Sequence, residues 1–232
     1  MTTSGTATFD LDLTDLVEEA FERAGGELRS GYDLRTAKRS LNLLFADWAN
    51  RGLNMWTFEQ GSITLVPGTA TYNLPADTVD LLDHVVRTYA GQAANQADLA
   101  ITRISLSTYL TIPNKLITGR PIQLLITRGV AIPTVTVWPV PDSTLTYTLA
   151  YSRLRRVQDA GDGSTTQDVP FRFLPALVAG LAYYLALKIP DGAGLQRVEL
   201  LKSQYDDAWL SAEQEDREKA ATRLVPRRAY VR

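Results

Sequence analysis

The feature that most limits what this chain can fold into is a double switch in the spacing of its apolar residues. Leu13, Leu16, Val17, Ala20, Phe21 and Ala24 recur at helical spacing, as do Leu34, Ala37, Leu41, Leu44, Phe45 and Trp48. From about residue 58 the period drops to two. It returns to 3.6 from Pro170 onward. Local chemistry agrees: Asp10, Asp12 and Asp15 suit a helix N-terminus, Gly25-Gly26 stops the first helix, and Gly52 stops the second. The two should form an antiparallel pair through the short connector near Ser30-Gly31.

In the middle, SITLVPGTATYNLP reads as two strands about Pro67-Gly68. Further strands are predicted over 79–89, 99–104, 120–128, 134–138 and 144–152, with a short helical turn over 105–111. The last strand is the clearest: Leu145, Tyr147, Leu149 and Tyr151 share one side and Thr146 and Thr148 the other. A polar loop, Gln158–Asp168, precedes the apolar run Phe173–Leu187. As a helix that run spans roughly 22 Å, short of a bilayer core of about 30 Å, and it contains Pro175, so it reads as a buried helix. A final helix from about Gly194 to Thr222 carries Val198, Leu201, Tyr205, Ala208, Trp209 and Ala212 as its stripe, and then loses it.

The predicted class is therefore α+β: an antiparallel helical bundle from the N- and C-terminal helices, an inserted β domain and an extended C-terminal tail. The expected domains are 1–57 with 170–222 (helical), 58–155 (β), 156–169 (loop) and 223–232 (arm). With 232 residues, 45% of them hydrophobic, the chain can bury a substantial core.

Few kinds of chemistry are open to it. Cys is absent, which removes disulfides, cysteine zinc sites and thiol nucleophiles and suits a reducing compartment. The opening MTTSGTATFDLDLTD has neither a basic nor an apolar signal region, so no secretion signal is expected there. His84 is the only histidine; no GxSxG surrounds a serine, and His84 lies in an alternating segment as a strand residue. Asp159, Asp162 and Asp168 miss the calcium-loop spacing and read as a solvated loop. GDGS lacks the Gly-Lys-Ser/Thr of a phosphate loop. Glu213, Glu215, Asp216 and Glu218 read as the wet face of a helix, and Trp48, Trp56, Trp138 and Trp209 as core or subunit-interface residues. No catalytic residue, metal or cofactor is expected.

The ending is different. Arg223, Arg227, Arg228 and Arg232 stand in the last ten residues without an acid, whereas the preceding 222 residues hold 26 acids and 20 bases. A ten-residue segment carrying four like charges is too short to bury a core of its own, so it either takes shape against a partner or serves as a solubilising tail.

The ordered landmarks resemble the head-to-tail adaptor proteins of short-tailed bacteriophages. YDLRTAKRSLNLLFADWANRGLNMWTFEQ (Tyr32–Gln60) is similar to that family's second helix and its entry to the β domain. GTATYNLPAD (68–77), PNKLITGRP (113–121) and VWPVPD (137–142) resemble its β-domain signposts. PFRFLPALVAGLAYYLALKIP (170–190) and YDDAWLSAEQEDRE (205–218) resemble its C-terminal helical pair. The resemblance implies a virion protein, not an enzyme: a dodecameric ring under the portal at the head–tail junction, assembled in the host cytoplasm. Such a ring closes the filled head, binds a nozzle or tail-tube protein below and passes genomic DNA without reading its sequence. It also implies a portal-binding role for the C-terminal segment, here Arg223, Leu224, Val225, Arg227, Arg228, Tyr230 and Arg232. The residues themselves leave two other readings open: a nucleic-acid-binding module using the arginine-rich end, and a tail-associated hydrolase. No membrane partner is expected.

Overall fold

A computed structural model describes residues 3–29, 31–52, 55–189 and 195–217. The chain divides into two compact units, Met1–Asp47 with Asp159–Arg232, and Trp48–Gln158.

Helix α1 (Leu13–Ala24) begins where the sequence places it. The Asp12 side chain accepts a hydrogen bond from the Asp15 backbone N–H, and Asp15 adds negative charge to the first turn. Gly25, at φ 86°, ends the helix in the left-handed conformation and returns its N–H to the Glu22 carbonyl. All six predicted stripe residues of α1 are buried. Helix α2 (Gly31–Arg51) buries Ala37, Leu41, Leu44, Phe45 and Trp48.

The second unit contains β1 (Phe58–Leu65), β2 (Thr71–Asn73), β3 (Thr78–Thr88), β4 (Ala97–Ala100) and β5 (Thr102–Arg103). A short helix α3 (Leu106–Leu110) follows, then β6 (Thr118–Gly119), β7 (Gln123–Thr127), β8 (Thr134–Trp138), β9 (Val140–Pro141) and β10 (Tyr147–Arg155). One four-stranded sheet has the order β1-β10-β3-β4 and a second β2-β8-β7-β5, while β6 and β9 pair separately. Leu65, Leu81, Val86, Tyr147, Leu149 and Tyr151 of the first sheet share one core with Leu124, Val135 and Val137 of the second. The alternation along β10 thus selects the face that the sequence indicates.

The strands flanking Pro67-Gly68 are not hairpin partners. Strand β1 pairs with β10 in one sheet, and β2 pairs with β8 in the other. Gly68 has φ 80°, and the turn closes through Thr69 N–H to the Val66 carbonyl at 3.0 Å. Proline followed by a positive-φ glycine is the signature of a type II turn, whose twist does not match a two-residue hairpin. Here it carries the chain from sheet to sheet.

In the first unit, a single 3-10 turn (Phe171–Phe173) leads into α4 (Leu174–Ala186), which has Pro175 in its first turn and is buried on nearly every side. It packs on α1 and on α5 (Leu195–Glu215). Gly180 makes this possible: a Cβ there would lie 2.9 Å from the Tyr205 ring and 3.0 Å from Leu44. Phe173 meets Trp209 edge to face at 5.6 Å. Ser40, fully buried on α2, donates to the Thr36 carbonyl at 3.1 Å and accepts from Lys188 Nζ at 2.6 Å. Among the described residues no helix is long and apolar enough to cross a membrane.

Two expectations change. The loop over 158–168 is not simply solvated. Leu13 N–H donates to the Thr165 carbonyl at 3.0 Å, Thr14 N–H to Gly163 at 3.1 Å, and Ala160 N–H to Asn42 Oδ1 at 2.8 Å. The first turn of a helix has no internal acceptors for its N–H groups, and this loop supplies them from about 150 residues away. The last helix is also shorter than the stretch to Thr222. It stops at Glu215, and Asp216, its side chain buried, pairs with Arg172.

Candidate docking surface

The seven residues of the expected portal-binding arm, Arg223, Leu224, Val225, Arg227, Arg228, Tyr230 and Arg232, lie outside the described residues, as does Glu218. The remaining residues weighed for chemistry fall in different places. His84 is half-buried on β3, Asp159, Asp162 and Asp168 lie on the loop that caps α1, and Glu213 and Glu215 are exposed on α5.

What the helical unit does present is a groove of about 950 Å³ between α1, the segment before it and the start of α4. Phe9, Leu11, Phe171, Leu174 and Val178 give it an apolar lining, and Phe9 and Phe171 are each about three-quarters exposed. Along its edge run Asp15, Glu18, Glu19 and Glu22, all from the outer face of α1. Glu19 is held by Arg23 at 2.7 Å. The carboxylates of Asp15, Glu18 and Glu22 have no partner among the described residues. Exposed apolar surface beside unpaired acids is the chemistry of a site for a peptide that carries both cations and apolar side chains.

The local reason for this groove is plain once the fold is known. Helix α4 is apolar all round, and α1, α2 and α5 do not cover its first turn completely. The sequence hides this, because an all-apolar helix reads as core and the acids of α1 read as an ordinary wet face. The one available signal was Phe9 and Leu11, large apolar residues on a stretch without periodicity.

The β unit carries charge networks of another kind. Arg153 on β10 is buried and donates to Asp77 Oδ1 at 2.6 Å, Asp77 Oδ2 at 3.2 Å and Thr78 Oγ1 at 2.8 Å, and it also pairs with Glu59 across the strand. The hydrogen bond from Arg153 holds the Asp77 carboxyl below the usual aspartate range, against an opposing push from burial. Asp80 on β3 takes Arg103 at 3.0 Å and also Arg128, which ties the first sheet to the second. These are structural ties.

His84 lies in a shallow depression with Gly61, Ser62, Asp83 and Tyr151. Its Nδ1 is buried without a hydrogen-bond partner, so no hydroxyl is paired with that nitrogen for proton transfer. Burial, with the positive charge of Arg103, lowers its pKa from 6.5. Among the described residues no cluster of His, Cys, Asp or Glu is arranged to hold a metal ion. Large apolar side chains also stand exposed on this unit, notably Leu106 and Leu110 one turn apart on α3, and Leu116.

No curated protein matches the sequence. The sequence model of the SU10 adaptor protein family matches residues 11–228, which takes in both helical ends and the whole β unit. The chain therefore belongs to the SU10 adaptor protein family, in agreement with the resemblance to phage head-to-tail adaptors carried by its ordered motifs.

Proposed function

We propose that this phage adaptor protein acts as a head-to-tail connector: twelve copies form a ring under the portal, close the DNA-filled head and join it to the tail. In this reading the N- and C-terminal helices form an antiparallel bundle, the β unit is inserted between them, and the arm reaches the portal. DNA passes through the ring on ejection without sequence-specific contacts. The single observation that carries the proposal is the family match along residues 11–228.

The arm is the proposed clamp. Arginine forms bidentate, charge-assisted bonds with carboxylates, and Arg223, Arg227, Arg228 and Arg232 offer four such forks. Leu224, Val225 and Tyr230 can seat in apolar clefts, and Pro226 narrows the conformations lost on docking. Twelve arms on one ring turn a modest contact into a durable joint, because each docking raises the effective concentration of the next. The exposed Leu106, Leu110 and Leu116 are the surfaces proposed to meet neighbouring subunits or the tail protein.

The test is to mix portal rings with the intact chain and with a chain cut after Thr222, and to image the products by electron microscopy. The intact chain should add a twelvefold ring and the shortened one should not. Equal assembly of both would remove the clamp. Failure of the intact chain to bind portal, together with steeply salt-dependent binding to free DNA, would instead favour a nucleic-acid-binding module.

A further inference from the structure

The groove and the arm are matched in chemistry, and the end of α5 brings them together. We propose that, before a portal is met, residues 223–232 of each subunit dock in that subunit's own α1–α4 groove, so that the arm is parked in cis and released by exchange. This rests on the arm being a docking segment, as proposed above.

Three observations carry it. The first is charge: Asp15, Glu18 and Glu22 recur along one edge of α1 without partners among the described residues, while the arm brings four arginines and no acid. The second is apolar content. The arm interleaves Leu224, Val225, Tyr230 and Val231 with those arginines, and the groove offers Phe9, Leu11, Phe171 and Val178 beneath its acidic edge. The third is reach. Asp216 at the end of α5 is paired with Arg172, and the next residue back, Phe171, lines the groove. Seven residue-to-residue steps lead from Asp216 to Arg223, enough to extend about 23 Å, whereas the acidic edge from Asp15 to Glu22 covers only about 10 Å of helix.

A tether this short gives the arm an effective concentration in the millimolar range at its own groove, so even weak docking is populated. It also explains why an open apolar groove would be tolerated beside unpaired acids. Portal then competes as a multivalent partner, and twelve arms exchange one contact in cis for one in trans.

The absence of cysteine makes the test clean. In the full chain, Glu18→Cys with Ala229→Cys is oxidised alongside a control pair, Glu199→Cys with Ala229→Cys; Glu18 and Glu199 are both exposed, so neither change disturbs packing. The groove pair should form an intramolecular disulfide at least roughly tenfold faster than the control, at a rate independent of dilution. A further Glu22→Lys change, or high salt, should slow it severalfold. Equal rates for the two pairs would overturn the proposal. So would a covalent dimer as the main product, since that would place a neighbour's arm in the groove. No portal is present, so this result and the portal-imaging result fail separately.

Discussion

Replacing Arg153 with methionine tests how the first β-sheet is held at its charged end. The substitution keeps an apolar stem of similar length and removes every donor. Asp77 and Glu59 then lose their shared cation and Thr78, itself buried, loses a donor. Breaking a fully buried ion pair costs about 3–5 kcal/mol. Here the arginine is buried but the Asp77 and Glu59 side chains are about half exposed, so water can solvate both after the change. That discount brings the expected loss to about 2 kcal/mol, or a fall in melting temperature of roughly 8 °C for a unit of this size. Urea unfolding at neutral pH, followed through tryptophan emission, measures it. The pH dependence is the sharper check. Asp77 has a folded-state pKa below its unfolded value, so its contribution is complete above the ordinary aspartate range and is lost as the pH falls through the depressed value. The gap between wild type and Arg153→Met should therefore narrow as the solution is acidified below about pH 4. A penalty under about 0.5 kcal/mol, or a gap unchanged by acid, would refute the account of Arg153 as the counter-ion of that network.

Two other expectations follow from the packing and from the lone histidine. Gly180→Val should cost about 2 kcal/mol despite valine's better helix propensity, because the buried Tyr205 ring and Leu44 leave its side chain no room; unchanged stability in thermal unfolding would mean that α2 and α5 can move aside. His84 has a folded-state pKa lowered by burial, so below pH 6.5 the unfolded chain takes up its proton more readily and stability falls; His84→Gln should flatten that part of the pH–stability curve, and an unaltered slope would remove His84 as its source.

The proposal of the C-terminal arm as a docking segment comes from the sequence alone, because its signal is compositional, four arginines and a proline without a compensating acid. The groove was not. Its apolar wall belongs to a helix whose residues look uniformly like core, and only packing decides that Phe171 and Pro175 are exposed at its start while Leu174 and Val178 lie buried behind them.

The sequence by itself determined what depends on neighbours within a turn or two. The stripe of α1, its Asp12 and Gly25 caps, the alternation through β10 and the buried nature of α4 all arise from side chains three, four or two residues apart. Tertiary structure alone decided which distant groups complete one another. It placed β2 beside β8 rather than β1, set Asp80 between Arg103 and Arg128, and brought the 159–168 loop to the open N–H groups of α1. Such partners are chosen by the closure of whole sheets and bundles around shared cores, and local spacing carries no record of that choice.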